Sequence, residues 1–407
     1  MHFLFAWRYF KAKKSTNAIN IIAWISIVAM MIGTAALILV LSVFNGFEGL
    51  VKSLYSSFYP DIKISAQQGK VISITPEQLR QIRAVRDVAG ISLTAEEKAL
   101  LQNGENQSVV FLKGVDQDYP SVSGVADNMV KGSFNLGNDE NPSLVLGAGV
   151  ESALGIMTDR NLLPLLVYLP NKDASNFLDP LNAVRSRTAT TTGTFIIQKD
   201  FDNKYAISNL AFVKDMLNLK ANEYTALEVS VKDPSNADRL RDDLQNLLGT
   251  AYKVQTRYQQ NQGLYSVMRA EKWVIYAVLS LILVVAAFNM IGALTMLVLE
   301  KEKDMSVLHA LGGDRTFIQK IFLSEGILLA VIGGGIGMLL ALLIALAQIK
   351  YKLISLGGGS FLIDYFPVKI KLTDFLLVGT TVFVIAFIAA WIPSGKAAKR
   401  DLSLRSE

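Results

Sequence analysis

Four long stretches without a charged residue dominate the pattern of hydrophobic and polar positions along the chain. They run from Ser15 to Phe47, Trp273 to Leu299, Gly326 to Ile349 and Phe375 to Pro393. About 20 apolar residues in a helix cross a bilayer core of roughly 30 Å. Buried helices of a soluble protein seldom run this long without a charged face. The pattern therefore predicts four transmembrane helices. The first stretch also exceeds the apolar segment of a signal peptide, about 7 to 15 residues, and is interpreted as an uncleaved anchor.

Between the first two spans, residues 60–255 have the mixed composition of a folded α+β domain. Short β-rich runs bounded by turn residues predict strands at Asp61–Ser65, Ser108–Gly114, Ser143–Leu146, Leu165–Leu169, Thr194–Gln198, Thr225–Val231 and Tyr252–Thr256. Capping signals predict helices at Pro76–Arg86, Ala211–Leu219 and Ala237–Leu248. The fold class predicted is thus an α-helical membrane protein with an α+β extracytoplasmic domain.

Apolar positions at helical spacing continue beyond the membrane at both ends of this domain. They include Phe47, Leu50 and Leu54 after the first span and Leu264 and Met268 before the second. Two such helices with facing apolar stripes predict a packed stalk that carries the domain and can transmit a displacement across the membrane. The alternative is that these stripes rest on the membrane surface.

Positive charge near the ends of the spans indicates the orientation. Residues 1–14 carry four basic residues and no acid, and four basic residues follow Pro393. Because positive charge is enriched on the cytoplasmic side, both termini are predicted to be cytoplasmic, with residues 1–17 as an interfacial helix. The segment after the third span favours the opposite orientation through Lys350, Lys352, Lys369 and Lys371. The positive charge at the two termini outweighs that of these four lysines, so the termini decide the predicted orientation.

The predicted segments follow from these observations. They are an interfacial helix at 1–17, a first span at 18–46, a stalk helix at 47–59, the domain at 60–255, a second stalk helix at 256–272, a second span at 273–299, a cytoplasmic coupling segment at 300–315, a third span at 316–349, an outer loop at 350–372, a fourth span at 373–393 and a cytoplasmic tail at 394–407.

The residues for most catalytic chemistry are missing from the sequence. There is no cysteine and there are only two histidines, which excludes a Cys/His metal cage and a cysteine nucleophile. No Walker A motif occurs, and the net charge of +5 does not imply nucleic acid. The middles of the spans carry no ionisable residue; Asn289 is their strongly polar residue, better interpreted as an interhelical hydrogen bond than as a substrate contact. We therefore expect no cofactor on this chain and an energy source on a partner.

The segment between the second and third spans has the features of a surface for such a partner. Asp304 is predicted to cap a short helix from Met305 to Leu311, and Gly312 to end it in the left-handed conformation. Met305 and Leu308 would share an apolar face beside His309, with a charged rim, and would seat in a groove of the partner. Asp314 would cap the third span. The alternative is a connection without a partner.

Three sequence motifs resemble the FtsX-like permeases, and among them the membrane subunits of lipoprotein-releasing (Lol) transporters. They are Asn45-Gly46-Phe47-Glu48, the run from Glu302 to Gly312, and the run from Trp391 to Ala398. The segment from Leu146 to Ile156 is similar to the periplasmic core domain of MacB-type permeases. The permease domain would span about 273–400.

The resemblance implies a bacterial inner-membrane protein with a periplasmic domain and several partners. It implies a cytoplasmic ABC ATPase, which binds ATP and Mg²⁺ and receives the helix from Asp304 to Gly312, together with a second copy or homologue of this chain. The cargo would be an acylated lipoprotein, drawn from the outer leaflet and passed to a periplasmic carrier through residues 172–192.

The composition of the first two spans suits acyl chains in a cavity between them, because its walls would be soft and apolar. The candidate cavity residues are Ile27, Met30, Met31, Leu37, Leu281, Val285 and Phe288. Ordinary contact with lipid or with neighbouring helices remains the alternative for each.

Two other functions stay open at this point. MacB-type permeases export other substrates, but they carry their ATPase on the same chain. A scaffold similar to the cell-division FtsX protein would relay ATPase motion to cell-wall hydrolases, but its extracytoplasmic domain is usually much smaller.

Overall fold

A computed structural model describes residues 17–158, 164–170, 184–356 and 365–399. Within these ranges it divides into two compact units, one formed by residues 17–50, 266–356 and 365–399 and the other by residues 51–158, 164–170 and 184–265. The predicted interfacial helix lies, except for its last residue, outside the described residues. So do residues 172–183 of the candidate carrier loop and the tail beyond Lys399.

The α-helices and β-strands alternate irregularly along the domain and are flanked by long helices. In chain order the helices are α1 (Asn17–Phe58), α2 (Pro76–Ala84), α3 (Ala148–Ala153), α4 (Lys199–Asp202), α5 (Leu210–Met216), α6 (Ala237–Leu248), α7 (Arg257–Gln260), α8 (Gln262–Glu300), α9 (Glu302–Ala310), α10 (Arg315–Tyr351) and α11 (Leu372–Lys399). The strands are β1 (Ile62–Ala66), β2 (Ile72–Ser73), β3 (Val88–Asn103), β4 (Asn106–Val115), β5 (Met129–Gly132), β6 (Ser143–Gly147), β7 (Leu165–Pro170), β8 (Val184–Phe195), β9 (Tyr205–Asn209), β10 (Glu223–Tyr224), β11 (Ala226–Val231) and β12 (Tyr252–Thr256).

The four predicted spans are confirmed as the long helices α1, α8, α10 and α11. Each is long and apolar enough to cross a membrane. Glycines allow these helices to approach closely. A Cβ atom added to Gly333 would lie 2.7 Å from the carbonyl oxygen of Ile27, and one added to Gly337 would lie 2.5 Å from that of Met31. The small-residue pair in α10 therefore packs on α1, as small residues do between membrane helices.

The domain is built on one large mixed sheet with the strand order β12-β1-β11-β3-β4-β9-β6-β8-β5. Strand β7 pairs with both β3 and β8, so β3, β4, β9, β6, β8 and β7 form a closed ring of strands. Pairs β4–β9 and β6–β8 are parallel, and the other pairs of the sheet are antiparallel.

Two of the hydrophobic cores of the domain lie on different parts of this sheet. One fills the ring and includes Leu101, Leu112 and Leu146 together with residues of α3 and α5. The other lies where α2 and α6 cover β1, β11 and β12, and it includes Ile64 and Leu240. Strand β3 serves both. Its first half pairs with β11 and its last residues pair with β7 on the same edge, while β4 pairs with the other edge.

Most predicted elements of the domain are found, but one strand is misplaced and the strands β2, β3, β5, β9 and β10 were not predicted. The strand predicted at Thr194–Gln198 is wrong in position, because β8 ends at Phe195 and begins at Val184. Its first half is mostly polar, with half-buried Arg185 and Arg187 between exposed residues, so the apolar signal starts only near its end. Strand β3 was not predicted at all, because its second half is rich in Ala, Glu, Lys and Leu, which favour helices.

Candidate functional site

A short helix, α9, joins the second and third spans and ends at a glycine. Gly312 adopts φ of +91°. Its N–H donates to the carbonyl of His309 at 3.0 Å, and the N–H of Gly313 donates to the carbonyl of Leu308 at 2.9 Å. These two bonds satisfy carbonyl groups of the last helical turn, and glycine tolerates the positive φ. The predicted end of the helix is confirmed.

The start of α9 differs from the prediction that Asp304 caps it. The helix begins at Glu302, its N-cap position is Lys301, and no side chain makes a capping hydrogen bond there. Asp304 lies in the first turn and forms an ion pair with Lys301 at 3.0 Å. Its carboxylate stabilises α9 through the positive end of the helix dipole rather than as a cap. The capping prediction failed because α8 runs up to Glu300 and leaves no loop before α9.

Met305 anchors α9 instead of belonging to an exposed surface. Only 2% of its surface is exposed, and it packs in a cluster with Leu297, Val298, Ile318, Phe322 and Ala397. Leu308 is half-buried. The predicted apolar face of Met305 and Leu308 is therefore not formed. Burial of Met305 holds the short helix against the ends of the long ones.

The exposed apolar side chains of α9 and its end are Val307 and Leu311, at 56% and 79% exposure. They are four residues apart and thus share one side of a helical turn, and Lys303 extends the same row. We call Lys303, Val307 and Leu311 the coupling face. Leu311 was predicted to belong to the partner surface and Val307 was not, although its spacing of four from Leu311 identifies it.

The turn after α9 is held by polar contacts. Asp314 caps α10 by accepting a hydrogen bond from the N–H of Phe317 at 2.8 Å, as predicted. Hydrogen bonds from the Thr316 hydroxyl and from Phe317 lower the pKa of the Asp314 carboxyl. Nδ1 of His309 lies 2.9 Å from the carbonyl oxygen of Gly313. His309 thus supports the turn that positions Leu311.

The predicted cavity residues of the second span lie together on an open face of α8. Leu281, Val285 and Phe288 are exposed at 63%, 59% and 65%, and their spacing places them on one side of the helix. Asn289 is exposed beside Phe288. This face is apolar with one polar residue near the middle of the span.

The predicted cavity residues of the first span are mostly turned away from such a face. Ile27, Met30 and Leu37 are buried in the core of the helix bundle, and Met31 is half-buried. The prediction that they line an open cavity is therefore wrong for Ile27, Met30 and Leu37. Glycine at position 333 lets α10 cover Ile27 and Met30, which the composition of the first span alone does not reveal.

A different side of α1 is open. An apolar groove of about 540 Å³ is lined by Ile21, Trp24, Ile25, Val28, Ala29 and Ile32. Several of these residues follow one another at intervals of three and four, so the helical spacing could have identified this side. The open sides of α1 and α8 are thus two apolar surfaces within the described spans that suit an apolar ligand.

The residues predicted for the stalk, Phe47, Leu50, Leu54, Leu264 and Met268, are all half-buried. Within the domain unit, the Lys52 ammonium lies 5.9 Å from the centre of the Tyr265 ring. Because Lys52 belongs to α1 and Tyr265 to α8, the two helices run beside each other there.

The last residue of α1, Phe58, is fixed inside the domain unit. It is 1% exposed, and its ring stacks on Phe201 at 4.3 Å between centroids. The preceding carbonyl, of Ser57, accepts a hydrogen bond from the N–H of Gly124 at 2.9 Å. The ammonium of Lys113 lies 5.2 Å from the Phe58 ring. A cation at the negative end of a helix dipole adds to this attachment.

The glycine motif in the domain brings α3 against a turn. A Cβ atom on Gly147 would lie 2.3 Å from the carbonyl oxygen of Asp202, and one on Gly149 would lie 1.7 Å from the side chain of Asn203. The motif is therefore a packing device. Among the residues that the structure describes, no three His, Cys, Asp or Glu side chains gather as a metal site would require.

Two family models match the chain and together cover most of it. The model described as MacB-like periplasmic core domain matches residues 23–247, which is more than half of the chain, and the model described as FtsX-like permease C-terminal matches residues 276–402. The first match covers most of α1 and the domain, and the second covers the helices from α8 to α11.

Known proteins are similar over nearly their whole length. The lipoprotein-releasing system transmembrane protein LolE of Haemophilus influenzae is 26% identical, with 98% of this chain and 97% of that protein covered. LolC of Neisseria meningitidis serogroup B is 26% identical, with 98% of each covered. The periplasmic region of MacB from Actinobacillus actinomycetemcomitans superposes with a TM-score of 0.36 at 11% identity, covering 53% of this chain and 98% of that one.

The matched models and relatives agree with the three motifs found in the sequence. The predicted resemblance is confirmed, and this chain belongs to the FtsX-like permeases that carry a MacB-like periplasmic core domain, the family of the lipoprotein-releasing LolC and LolE proteins.

Proposed function

We propose that this chain is the membrane subunit of a bacterial ABC transporter that extracts lipoproteins from the outer leaflet of the inner membrane for transfer toward the outer membrane. The observation that carries the proposal is the similarity to LolE and LolC over 98% of the chain. The sequence has no Walker A motif, so ATP and Mg²⁺ would bind to a separate ATPase subunit and this chain would need no cofactor of its own.

The coupling face is the surface proposed to meet the ATPase. Val307 and Leu311 are exposed apolar side chains on a helix whose opposite side is anchored by buried Met305. A small apolar anchor with a charged neighbour such as Lys303 fits a groove whose rim is polar. Because α9 joins α8 and α10 directly, a push on this face would reach both spans.

The open sides of α1 and α8 would contact the acyl chains of the cargo. Leu281, Val285 and Phe288 offer an apolar wall, and the groove lined by Trp24 and its neighbours offers another. A second copy or a homologue of this chain would complete the cavity, and membrane lipid would occupy these sides between cargoes.

In this proposal both termini are cytoplasmic and the domain is periplasmic. The continuous helices α1 and α8 would transmit the motion of the ATPase to the domain as a stalk. A periplasmic carrier would receive the released lipoprotein at residues 172–192. The buried attachment of Phe58 supports transmission, since a helix end that is fixed in a core moves with that core.

The test is purification of the full chain from its native host in mild detergent, followed by mass spectrometry of the bound proteins. We expect an ABC ATPase and acylated lipoproteins. Val307→Asp should lose the ATPase, because it places a charge in the proposed groove. Val130→Asp is the matched control, since Val130 is similarly exposed at 51% but lies on β5 of the domain.

Other outcomes would overturn the proposal. Recovery of cell-wall hydrolases with an ATPase but without acylated protein would replace it by the scaffold function. Absence of any ATPase from the unaltered chain would reject the transporter assignment. Equal loss of the ATPase in both valine variants would reject the coupling face.

A further inference from the structure

Three polar side chains from three different helices meet within the unit of long helices, in the second half of α1, near the start of α8 and at the start of α11. Nζ of Lys272 on α8 lies 2.9 Å from Oδ1 of Asn45 on α1 and 3.3 Å from Oδ1 of Asp374 on α11. The Asn45 amide donates a hydrogen bond to Oδ2 of Asp374. Each member thus contacts both of the others. We call this set the interhelical clamp.

The clamp is largely removed from solvent. Asn45 is 1% exposed, and the side chains of Asp374 and Lys272 are 6% and 25% exposed. The lysine and aspartate charges compensate each other, and the amide bridges them by donating to one and accepting from the other. Such a network is stabilising only when complete, because loss of one member leaves a buried charge without its partner.

Backbone contacts hold the segment before α11 against the same part of α1. A Cβ atom on Gly46 would lie 2.1 Å from the carbonyl oxygen of Pro367, so only glycine allows this approach. The N–H of Lys369 donates to the carbonyl of Ser42 at 2.9 Å. Lys371 and Glu48 add an ion pair at 3.3 Å. These contacts explain Asn45, Gly46 and Glu48 of the Asn45-Gly46-Phe47-Glu48 motif, to which the proposed function assigns no role.

The position of the clamp on α1 and α8 defines what it restrains. The two helices also touch at Gly33, where an added Cβ atom would lie 2.8 Å from the Leu283 side chain. Asn45 is twelve residues beyond Gly33 and Lys272 is eleven residues before Leu283. At about 1.5 Å per residue, the clamp therefore fastens the pair roughly 17 Å from that contact. Two separated contacts prevent the helices from pivoting apart.

We propose that Asn45, Lys272 and Asp374 keep α1, α8 and α11 together as one body throughout the transport cycle. Any opening that admits cargo is then made by surfaces other than the seam between α1 and α8 of one chain. This inference rests on the proposed function, because it presumes a cycle driven by an ATPase. The three residues are positioning residues, since they are buried away from the open sides of α1 and α8.

Spin labels can follow the seam directly, because this chain has no cysteine, so that two introduced cysteines are its sole labelling sites when it is labelled before the ATPase is added. Val40→Cys on α1 and Val274→Cys on α8 use exposed positions at 38% and 62%. The distance between the labels is measured by pulsed electron paramagnetic resonance on the full chain with its ATPase in nanodiscs, without nucleotide, with trapped ATP and with ADP. We expect one narrow distance that does not change among the three states.

Breaking the clamp should free the seam and reduce coupling. In Asp374→Asn we expect a broadened or displaced distance and a fall of about 5-fold or more in lipoprotein released per ATP hydrolysed. Thr373→Ala, an exposed neighbour, is the matched control. The exchanged pair Lys272→Asp with Asp374→Lys should restore the narrow distance, because the Asn45 amide can rotate to suit either arrangement.

A change of the label distance between nucleotide states in the otherwise unaltered chain would overturn the proposal that the clamp keeps α1 and α8 together. So would an Asp374→Asn protein that assembles with the ATPase and keeps both the narrow distance and normal release. A variant that does not assemble is replaced by the exchanged pair, whose failure to restore the distance would also count against the clamp. The distance needs no cargo, so a failure of the clamp is distinct from a failure of lipoprotein release.

Discussion

Nζ of Lys113 lies 2.8 Å from Oε1 of Glu228, and both side chains are almost completely buried. Lys113 is on β4 and Glu228 is on β11, so the pair reaches across β3, which lies between them. The Tyr119 hydroxyl is 3.3 Å from the same ammonium. Burial is the largest single effect and acts to lower the pKa of Lys113, but the charge and hydrogen bond of Glu228 together with the nearby Tyr119 and Glu96 outweigh it, so the pKa is raised. The lysine beside Phe58 therefore stays charged.

Removal of one charge from this pair should destabilise the protein strongly. We expect Glu228→Gln to lower the free energy of unfolding by about 3–5 kcal/mol, because it leaves the ammonium buried without its partner. The double variant Lys113→Met with Glu228→Leu should recover most of this loss. Thermal unfolding of the full chain in detergent measures both. A Glu228→Gln protein as stable as the parent would mean that the ammonium finds another partner.

Two glycines of α10 should respond oppositely to the same substitution. Gly333→Ala places a Cβ atom 2.7 Å from the carbonyl oxygen of Ile27, whereas nothing lies within 4 Å of a Cβ atom on Gly335. We expect Gly333→Ala to cost about 1–3 kcal/mol through overpacking, and Gly335→Ala to be neutral or stabilising by up to about 1 kcal/mol. The unfolding temperatures of the two variants, each compared with that of the parent, test this difference. Equal effects would show that α10 can shift away from α1.

The turn that ends α9 should loosen when its glycine is replaced. Gly312 has φ of +91°, so Gly312→Ala is expected to cost about 1–2 kcal/mol locally. Hydrogen exchange measured by mass spectrometry should show faster exchange of the amides at 312 and 313, which now donate to α9. Gly263→Ala, in the first turn of α8 with open space around it, is the control. Unchanged protection of the turn would contradict the strain argument.

A buried carboxylate in the domain should make stability depend on pH in the acid range. Oε1 of Glu151 accepts hydrogen bonds from the N–H and hydroxyl of Thr158 at 3.0 and 2.9 Å, and Lys131 is 3.1 Å from its other oxygen. Burial acts to raise the pKa of Glu151, but the bonds from Thr158 and the contact with Lys131 outweigh it, so its pKa is lowered.

Because the folded-state pKa is below the ordinary value of 4.5, the stabilisation is present above that value and is lost as pH falls through the folded-state pKa. Glu151→Gln should therefore be less stable than the parent at pH 7 by about 1–3 kcal/mol. The difference should stay constant down to about pH 5 and shrink at lower pH. Denaturant unfolding across this range is the measurement. A difference that grows on acidification would reverse the assigned direction.

The sequence predicted the spans, several helix ends and about half of the strands because these depend on local patterns. Runs without charge, the Thr75-to-Gln78 capping box and Gly249 at the end of α6 each act within a few residues. Strand β3 was not predicted, because its pairing with β4, β7 and β11 overrides the helix preference of its second half. Non-local pairing of this kind is not visible in local composition.

The sequence predicted where the short helix α9 lies in the chain, but not which of its side chains are buried and which are exposed. The short helix after Glu300 was found, yet which of its apolar residues is buried depends on how α8, α10 and α11 surround it. Met305 was therefore assigned to the wrong side. The same holds for Ile27 and Met30, whose burial results from glycines more than 300 positions away in the chain. Contacts between distant segments decide which side of a helix is free.

The sharing of β3 by two cores has a consequence for the way the domain folds and unfolds. Neither core can be completed before this strand is in place, because the ring and the β1–β11–β12 part both pair with it. The two parts are therefore expected to melt in a single cooperative transition, although each has a hydrophobic cluster of its own. An insertion or proteolytic cut in β3 would abolish both at once, whereas the same lesion in β12, an edge strand, would leave the ring intact.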